Sequence, residues 1–306
     1  MSYISGTITD SNAPATLYNS IATALTDEGF VSIDTVTISA NTHKVWKSPA
    51  AENTANKDWY LDVQYPTAGG GTIYFTPYED YNATTDLGFR GPVNIGTWAT
   101  MTTETTYYSR YGATGYSLEH ANWWRIGLTA PVTSFGFWIS ITADRVVGLS
   151  SNEPSKVVYT GLYTPSAGHT ASATTWVYPL ITAQLDGAGG GYAGYTRFPK
   201  IVGTIGNQGG GGSTQVAPFR LAGYLPGTSV PAGVNGAYSY REASPIQAYN
   251  NDPQTGMSWF GTLQDVATVN AALTVARGDT VTIGADQWVA CTVASGTTST
   301  TVFKAI

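Results

Sequence analysis

The sequence predicts a mainly β protein of the α+β kind, with an antiparallel β-sandwich or meander core, one N-terminal helix and long Gly/Thr-rich loops. The clearest strand pattern runs from Phe135 to Ile141, where apolar residues occupy every second position, as in a strand with one face in a core. A helical spacing of apolar residues is clear at 14–28. Gly runs at 187–194 and 206–212 separate the strand-like segments and predict the loops.

The predicted helix at 14–28 has recognisable start and stop signals. Asn12 is a candidate N-cap, and Pro14 lies in the first turn, where its missing N–H costs nothing. Gly29 follows the last apolar residue of the pattern, as expected where a helix ends. Strand-like runs come next, at 31–38, 43–47, 59–65 and 72–79. The helix and this meander predict a small α+β unit over residues 1–95.

A central β domain with long loops is predicted over residues 96–255, built on three strands joined by short turns. After Phe135–Ile141, apolar runs follow at 146–149 and 156–163, and such short connections force antiparallel neighbours. Trp138 falls on the face opposite the core residues of its strand. Either both faces of this sheet are covered, or Trp138 meets a neighbouring subunit.

The remaining segments are assigned from weaker patterns. Residues 81–131 show no regular period and carry scattered aromatic residues, which indicates an insertion with a binding or contact role. A small C-terminal β unit is predicted over residues 256–306, after a boundary at 250–253, with strand runs at 280–283, 288–293 and 300–304. Residues 1–10 fit either a short strand or an arm that reaches onto a neighbouring molecule.

Charged residues are scarce and aromatic residues abundant. Asp, Glu, Lys and Arg make up 11% of the chain, less than half of the roughly 25% of an average soluble protein. A chain this poor in charge either hides much surface in an assembly or relies on Thr, Ser and Asn for hydration. The 20 Tyr and 9 Trp residues suit protein interfaces and sugar-binding faces alike.

Charge and residue usage exclude several classes of function. A net charge of −6 argues against sequence-specific nucleic-acid binding, because phosphate neutralisation needs clustered Lys and Arg. The single Cys291 rules out an internal disulfide, and His43, His120 and His169 lack the spacing of metal ligands, so we predict no metal and no cofactor. The longest apolar run is too short to span a bilayer and the start lacks a signal peptide, so no membrane partner is expected.

We predict no catalytic residues and no enzymatic activity. No Gly-x-Ser-x-Gly nucleophile elbow occurs in the chain. Glu79 and Asp80, flanked by Tyr78 and Tyr81, are the nearest approach to the carboxylate pair of a glycosidase. Adjacent strand residues point to opposite faces, however, so these two carboxylates do not straddle one bond without a bulge. A carbohydrate-binding or carbohydrate-cleaving β protein, such as a receptor-binding or depolymerase unit, stays open as the alternative function.

One series of motifs resembles a known family. Phe137-Trp138 is followed by Asp144-Arg145-Val146-Val147, then by the segment Tyr159–Pro165, and finally by Tyr178-Pro179-Leu180 before the Gly-rich loop at 187–191. This order resembles a group of tailed-bacteriophage virion structural proteins. The resemblance implies a non-enzymatic component of the neck, collar, tail or baseplate, made in the host cytoplasm and located in the virion. Its implied partners are copies of itself and other virion proteins.

Aromatic residues are the candidates for the assembly interface: Tyr116, Trp123, Trp124, Trp138, Trp176 and Tyr178. Rings in irregular segments more often serve interfaces or ligands, whereas rings in regular strands more often belong to the core. Trp123 and Trp124 are adjacent, and neighbouring side chains of an extended segment point opposite ways. A core position therefore stays an open alternative for one of that pair.

Overall fold

The computed structural model describes residues 1–9, 13–38, 41–54, 56–67, 71–78, 80–84, 87–89, 123–126, 134–151, 156–165, 180–186, 240–241, 245–249, 257–270, 276–293 and 299–306. Within these ranges the chain is mainly β, with antiparallel sheets and one α-helix, so the predicted fold class is confirmed. The helix α1 spans Ala13–Asp27. A 3₁₀ turn spans Ala50–Glu52.

In chain order the strands are β1 (Ser2–Ile8), β2 (Val31–Ile38), β3 (Asn41–Lys47), β4 (Tyr60–Pro66), β5 (Gly71–Tyr78), β6 (Asp80–Asn82), β7 (Leu87–Phe89), β8 (Trp123–Ile126), β9 (Phe135–Ile141), β10 (Arg145–Ser150), β11 (Lys156–Leu162), β12 (Thr164–Pro165), β13 (Leu180–Asp186), β14 (Tyr240–Arg241), β15 (Pro245–Tyr249), β16 (Met257–Thr262), β17 (Val266–Asn270), β18 (Thr280–Ile283), β19 (Asp286–Val293) and β20 (Ser299–Lys304). Most of them belong to three five-stranded sheets. The smaller groups are β12-β16-β15 and β6-β7.

The amino-terminal sheet has the order β2-β3-β4-β5-β8. Its first four strands form the predicted meander, with Trp46 opposite Leu61 and Val63 opposite Phe75. The fifth strand, β8, pairs with β5 inside a segment for which we predicted no regular structure, and β6 and β7 lie there too. That expectation was wrong at these positions because strands of three or four residues are too short to show a period.

The helix α1 ends as the sequence indicates. Gly29 adopts φ 79°, a left-handed conformation that residues with a Cβ rarely take. Its N–H donates to the carbonyl of Thr26 over 3.0 Å, and the N–H of Phe30 donates to the carbonyl of Leu25 over 2.9 Å, which together form a Schellman motif. Leu25 and Phe30 are both buried, so the helix end is also packed.

The central sheet has the order β1-β9-β10-β11-β13. Strand β1 pairs with β9 of the same chain, from Ser2 opposite Ile141 to Ile8 opposite Phe135. The strand alternative for the first residues therefore holds. Every residue of β10 is buried, because the sheet is covered on both faces. On one side β11 and β13 lie against β5, so the central and amino-terminal sheets form a sandwich.

The carboxyl-terminal sheet has the order β14-β17-β20-β19-β18. The predicted runs at 280–283, 288–293 and 300–304 correspond to β18, β19 and β20. The turn before β18 contains Gly278 with φ 83°, and the hairpin between β18 and β19 contains Gly284 with φ 65°. Both positions have the left-handed backbone conformation that glycine adopts without strain.

Side chains from α1 and from all three large sheets share one buried cluster. Leu17 of α1, Phe75 of the amino-terminal sheet, Ile139 and Val147 of the central sheet, and Phe303 of the carboxyl-terminal sheet belong to it. This core crosses both domain boundaries that we predicted from the sequence. The boundaries themselves stay a prediction, because shared contacts do not measure whether a segment folds alone.

Candidate functional site

Part of the motif that carries the family resemblance lies where the three large sheets meet. Polar residues from separate parts of the chain form a connected network there, and we call it the junction: Thr54, Asp144, Arg145, Tyr159, Gln264 and Asp265. Thr54 follows the 3₁₀ turn, Asp144 lies in the turn before β10, Arg145 is the first residue of β10, and Asp265 lies in the turn that precedes β17.

Arg145 is the buried centre of the junction, with a side chain that is 0% exposed. Its Nη2 and Nε donate to Asp265 Oδ2 over 2.9 and 3.2 Å, while Nη1 donates to the carbonyl and the hydroxyl of Ser140 over 3.1 and 3.2 Å. A guanidinium is tolerated in a protein interior only when its donors find partners of this kind. The ion pair thus joins the central sheet to the turn before β17.

Asp144 joins the central sheet to the amino-terminal unit. Its Oδ1 accepts hydrogen bonds from the N–H and the hydroxyl of Thr54 over 2.7 and 3.0 Å. The side-chain amide of Gln264 donates in turn to Thr54 Oγ1 over 3.1 Å. Burial raises the pKa of the Asp144 carboxyl, and the hydrogen bonds from Thr54 and the charge of Arg145 oppose that rise. One carboxylate therefore links residues that are 90 positions apart in the sequence.

The Tyr159-Thr-Gly161-Leu162 part of the motif has a physical explanation in the same place. The Tyr159 hydroxyl donates to the carbonyl of Leu162 and accepts from the N–H of Gln264 over 3.2 Å. Burial raises the pKa of this hydroxyl, so it stays a neutral donor. Gly161 has φ 139°, and a Cβ at this position would lie 2.2 Å from the carbonyl oxygen of Asp144. Only glycine permits this approach between the end of β11 and the turn before β10.

The polar groups of the junction hold parts of the same chain together. The carboxylates of Asp144 and Asp265, the guanidinium of Arg145 and the hydroxyl of Tyr159 all bind other residues of the same chain. We find no nucleophile beside a general base among these residues. The arrangement fixes three parts of the chain to one another.

A second polar cluster lies inside the amino-terminal sheet. His43 Nδ1 lies 3.0 Å from Asp62 Oδ2, and Gln64 Nε2 donates to the same oxygen over 3.3 Å. All three side chains are buried, and within the described residues His43 Nε2, Asp62 Oδ1 and Gln64 Oε1 have no hydrogen-bond partner. The alternation in β4 places Asp62 and Gln64 on one face. Both residues are buried, although their side chains are polar.

The predicted interface residues are only partly within the described structure. Trp123 and Trp124 lie in β8, with backbone registers opposite Tyr74 and Ile73, and their side chains lie outside the described part. Tyr116, Trp176 and Tyr178 also lie outside the described residues. For these five residues the assembly role stays a prediction.

Trp138 is half-buried and packs against the shared core of its own chain. Its indole lies on Gly278, where an added Cβ would be 2.4 Å from Trp138 Cζ2. The alternative in which both faces of this strand are covered therefore holds around the ring. Gly278 is also the point where the carboxyl-terminal sheet approaches the central sheet, so the two lock together. Any further contact of Trp138 with a neighbouring subunit stays a prediction.

Three tyrosine rings converge at the edge of the segment that we weighed as a sugar site. The Tyr81 ring lies 6.4 Å from the Tyr60 ring and 6.3 Å from the Tyr78 ring, between centroids. Tyr78 is buried, whereas Tyr60 and Tyr81 are half-buried. The Tyr81 hydroxyl donates to Asp34 Oδ2 over 2.5 Å. Glu79 lies outside the described residues, so the carboxylate pair is not tested.

Among the described residues, no group of three or more His, Cys, Asp or Glu side chains is placed to hold a metal ion. No helix in that part of the chain is both long and apolar enough to cross a membrane.

The chain matches no protein-family model and no curated protein.

The sequence does not show which residues pair with Asp144 and Arg145 in the junction. Arg145 stood out in the motif, but Asp265 lies 120 residues away and Thr54 lies 90 residues from Asp144. No local pattern connects residues at such separations. The available signal was a charged residue, Arg145, at the start of an apolar strand in a chain with little charge, since buried charges need partners.

Proposed function

We propose that the chain is a non-enzymatic structural component of a tailed-phage virion, at the neck or collar, the tail or the baseplate. It acts through subunit assembly, and its partners are copies of itself and other virion proteins. The observation that carries the proposal is the junction. Asp144, Arg145, Tyr159 and Gly161, which are part of the resemblance, serve the cohesion of the chain.

A structural role in a particle requires a subunit that keeps its shape under load. Arg145 and Asp265 tie the central sheet to the carboxyl-terminal one, and Asp144 and Thr54 tie it to the amino-terminal unit. Arg277 adds a further tie, because its Nη2 donates to the carbonyl of Ser150 over 2.8 Å. These bonds restrict relative movement of the sheets and suit a body that transmits force.

Low charge supports the assembly part of the proposal. A chain with 11% charged residues and 12% aromatic residues gains stability by burying surface against neighbours. Burying one large apolar side chain stabilises by roughly 1.5–3 kcal/mol. Aromatic residues in the insertion predicted at 81–131 are the candidate anchors for such contacts.

Two experiments test the proposal. Immunogold labelling with an antibody against this chain should decorate the neck, tail or baseplate of particles from a lysate of the phage that encodes the chain. Native mass spectrometry of the purified chain should show a defined oligomer. Labelling absent from intact and disrupted particles alike would overturn the virion assignment.

The predicted anchors are tested in the same measurement. Trp123→Ala or Trp124→Ala should weaken association by about 2 kcal/mol or more, the scale of an interface hot spot. Circular dichroism and melting of the isolated chain should be nearly unchanged. Loss of folding in both variants, without concentration dependence, would show that these rings belong to the core of the subunit.

The Tyr60, Tyr78 and Tyr81 cluster favours one alternative, a carbohydrate-binding or carbohydrate-cleaving protein. The two half-buried rings of Tyr60 and Tyr81 are the kind of surface on which sugars stack. A glycan array, followed by calorimetry on Tyr60→Ala and Tyr81→Ala, tests this function. Saturable glycan binding that both variants lose, or polysaccharide turnover lost in Glu79→Gln, would replace the structural proposal.

A further inference from the structure

Strand β2 is an open edge of the amino-terminal sheet, because within the described residues it pairs with β3 on one side alone. It is the longest edge strand in the described part of the chain, with eight residues against seven in β1 and β13 and four in β18. Val31 is 60% exposed, and Ser32, Thr35 and Thr37 are exposed too. An edge of this length, without Lys or Pro, is the kind that pairs with another strand.

The composition of β2 suits pairing with itself. Six of its eight residues are β-branched: Val31, Ile33, Thr35, Val36, Thr37 and Ile38. Asp34 is its single charged residue. In an antiparallel pair with Thr35 opposite Thr37 of a second copy, Val36 faces Val36 and Asp34 faces Ile38. No like charges then lie opposite one another, and Thr-Thr and Val-Val pairs stabilise such a ladder.

Asp34 limits access to this edge. The N–H of Thr35 donates to Asp34 Oδ1 over 2.7 Å, so a side chain occupies a donor of the exposed strand. The Tyr81 hydroxyl binds the other oxygen of the same carboxylate and holds it in place. A bulge between Ser32 and Asp34 also distorts this end of the strand. Such devices blunt an edge without removing it.

We propose that β2 is a self-association surface, which pairs antiparallel with β2 of a second copy of this chain, and that Asp34 restrains this pairing. The inference deepens the proposed assembly role. It rests on that role only because self-association is the function that we propose for the chain. Pairing requires the Thr35 N–H to exchange the Asp34 carboxylate for a carbonyl of the partner strand. Residues Thr35 to Thr37 then form the centre of the contact.

Substitutions at the edge test the surface by sedimentation velocity over a range of concentrations. Thr35→Lys combined with Thr37→Lys should abolish the β2 pairing, because the introduced ammonium groups would face one another across the two strands. The matched control is Thr7→Lys, at an exposed position of β1, the edge strand of the central sheet. It should leave association unchanged. Association lost in the control and kept in the double variant would overturn the inference.

Removal of the restraint gives a change in the opposite direction. Asp34→Ala frees the Thr35 N–H and should tighten self-association about tenfold, the equivalent of one charge-assisted hydrogen bond. Tyr81→Phe should tighten it by less, because the carboxylate stays and only its anchor is lost. Unchanged or weaker association in Asp34→Ala, with the melting temperature retained, would contradict the gating role.

Disulfide formation locates the register. Thr35→Cys and Thr37→Cys proteins, mixed under mild oxidation, should form the mixed disulfide more readily than either protein does alone, since the proposed register places these positions opposite each other. Cys291 does not interfere, because it is buried. No cross-link in any combination would overturn the inference while leaving the virion assignment to the labelling experiment. If the cross-linked pairs form but labelling does not find the chain in particles, the inference is supported and the virion assignment is overturned.

Discussion

At the scale of single residues, the stability of this chain depends on a charge that water cannot reach. The Arg145 side chain is 0% exposed, while that of Asp265 is 35% exposed. Breaking a buried pair is costly because the surviving charge stays in a medium that solvates it poorly. The exposed share of Asp265 moderates that cost, since water screens the oxygen that faces it.

We expect Asp265→Asn to destabilise the protein by about 3 kcal/mol, the lower part of the range for breaking a buried pair. Asn is the suitable replacement because position 265 has φ 54°, which Asn tolerates. Urea unfolding followed by circular dichroism measures the change. Asp286→Asn is the control: its exposed pair with Lys304, at 2.9 Å, should cost less than about 1 kcal/mol. Equal losses would show that Arg145 does not depend on its partner.

Asp144 gives a prediction about pH. Its pKa is raised in the folded protein, so the folded state holds this proton more tightly than the unfolded state does. The resulting stabilisation is present below the ordinary Asp pKa and is lost as pH rises through the raised value. Asp144→Asn keeps an acceptor for Thr54 and removes the titration. Its stability relative to the wild type should therefore increase from acid to neutral pH, as measured by unfolding at each pH. A constant difference would contradict this account.

At the scale of elements, the contact between β9 and the turn before β18 locks two sheets together. Gly278 and Gly284 both have positive φ, but only Gly278 has a neighbour in the way, the Trp138 indole. Comparing the same substitution at the two positions therefore separates the cost of backbone strain from the cost of steric exclusion. Trp138 fills space that a glycine leaves, which is why a large ring fits between two sheets at this point.

We expect Gly278→Ala to destabilise the protein by about 1–3 kcal/mol more than Gly284→Ala, because overpacking adds to a backbone strain that both share. Thermal and urea unfolding of the two variants measure the difference. Combining Gly278→Ala with Trp138→Phe should recover part of the loss, since the smaller ring leaves room for the methyl group. Equal losses at the two glycines would show that the indole moves aside freely.

Helices and strands could be predicted from the sequence wherever the residues that determine them lie close together in the chain. The helix was predicted at 14–28 and found at Ala13–Asp27, since spacing, Pro14 and Gly29 all act within a few residues. Strand β2 was predicted with its observed ends for the same reason. Strand β8 was missed because its pairing with β5 joins segments about 50 residues apart.

The candidate site was less readable. Its motif residues were singled out, yet their roles depend on Thr54, Gln264 and Asp265, which adjoin them only after folding. Burial of His43, Asp62 and Gln64 was not predicted, since alternation shows two faces of a strand but not what covers each.

At the scale of the whole molecule, one core joins regions that we predicted as separate units. Cys291 of β19 lies in the same cluster as Val147 of β10, and it is 0% exposed. Burial raises the pKa of its thiol to about 12. Exposure of this thiol therefore requires the carboxyl-terminal sheet to leave the central sheet or to open itself.

Thiol labelling tests how closely the sheets depend on one another. We expect Cys291 to be unreactive toward a thiol reagent at pH 8 and to become reactive along the same urea curve as the circular dichroism signal. After limited proteolysis near Asn250, the fragments should stay associated and the thiol should stay protected. Labelling well before global unfolding would support an independent carboxyl-terminal unit.

The order of the carboxyl-terminal sheet has a consequence for protein synthesis. Strand β20 lies between β17 and β19, although both precede it in the sequence. On the ribosome, these two strands emerge before the strand that pairs with both, and their facing edges carry unpaired backbone groups until then. Strand β1 likewise has no partner strand until β9 has been synthesised. The nascent chain therefore exposes unpaired strand edges until β9 and β20 have been made, and holdase chaperones that cover them should raise the yield of native protein.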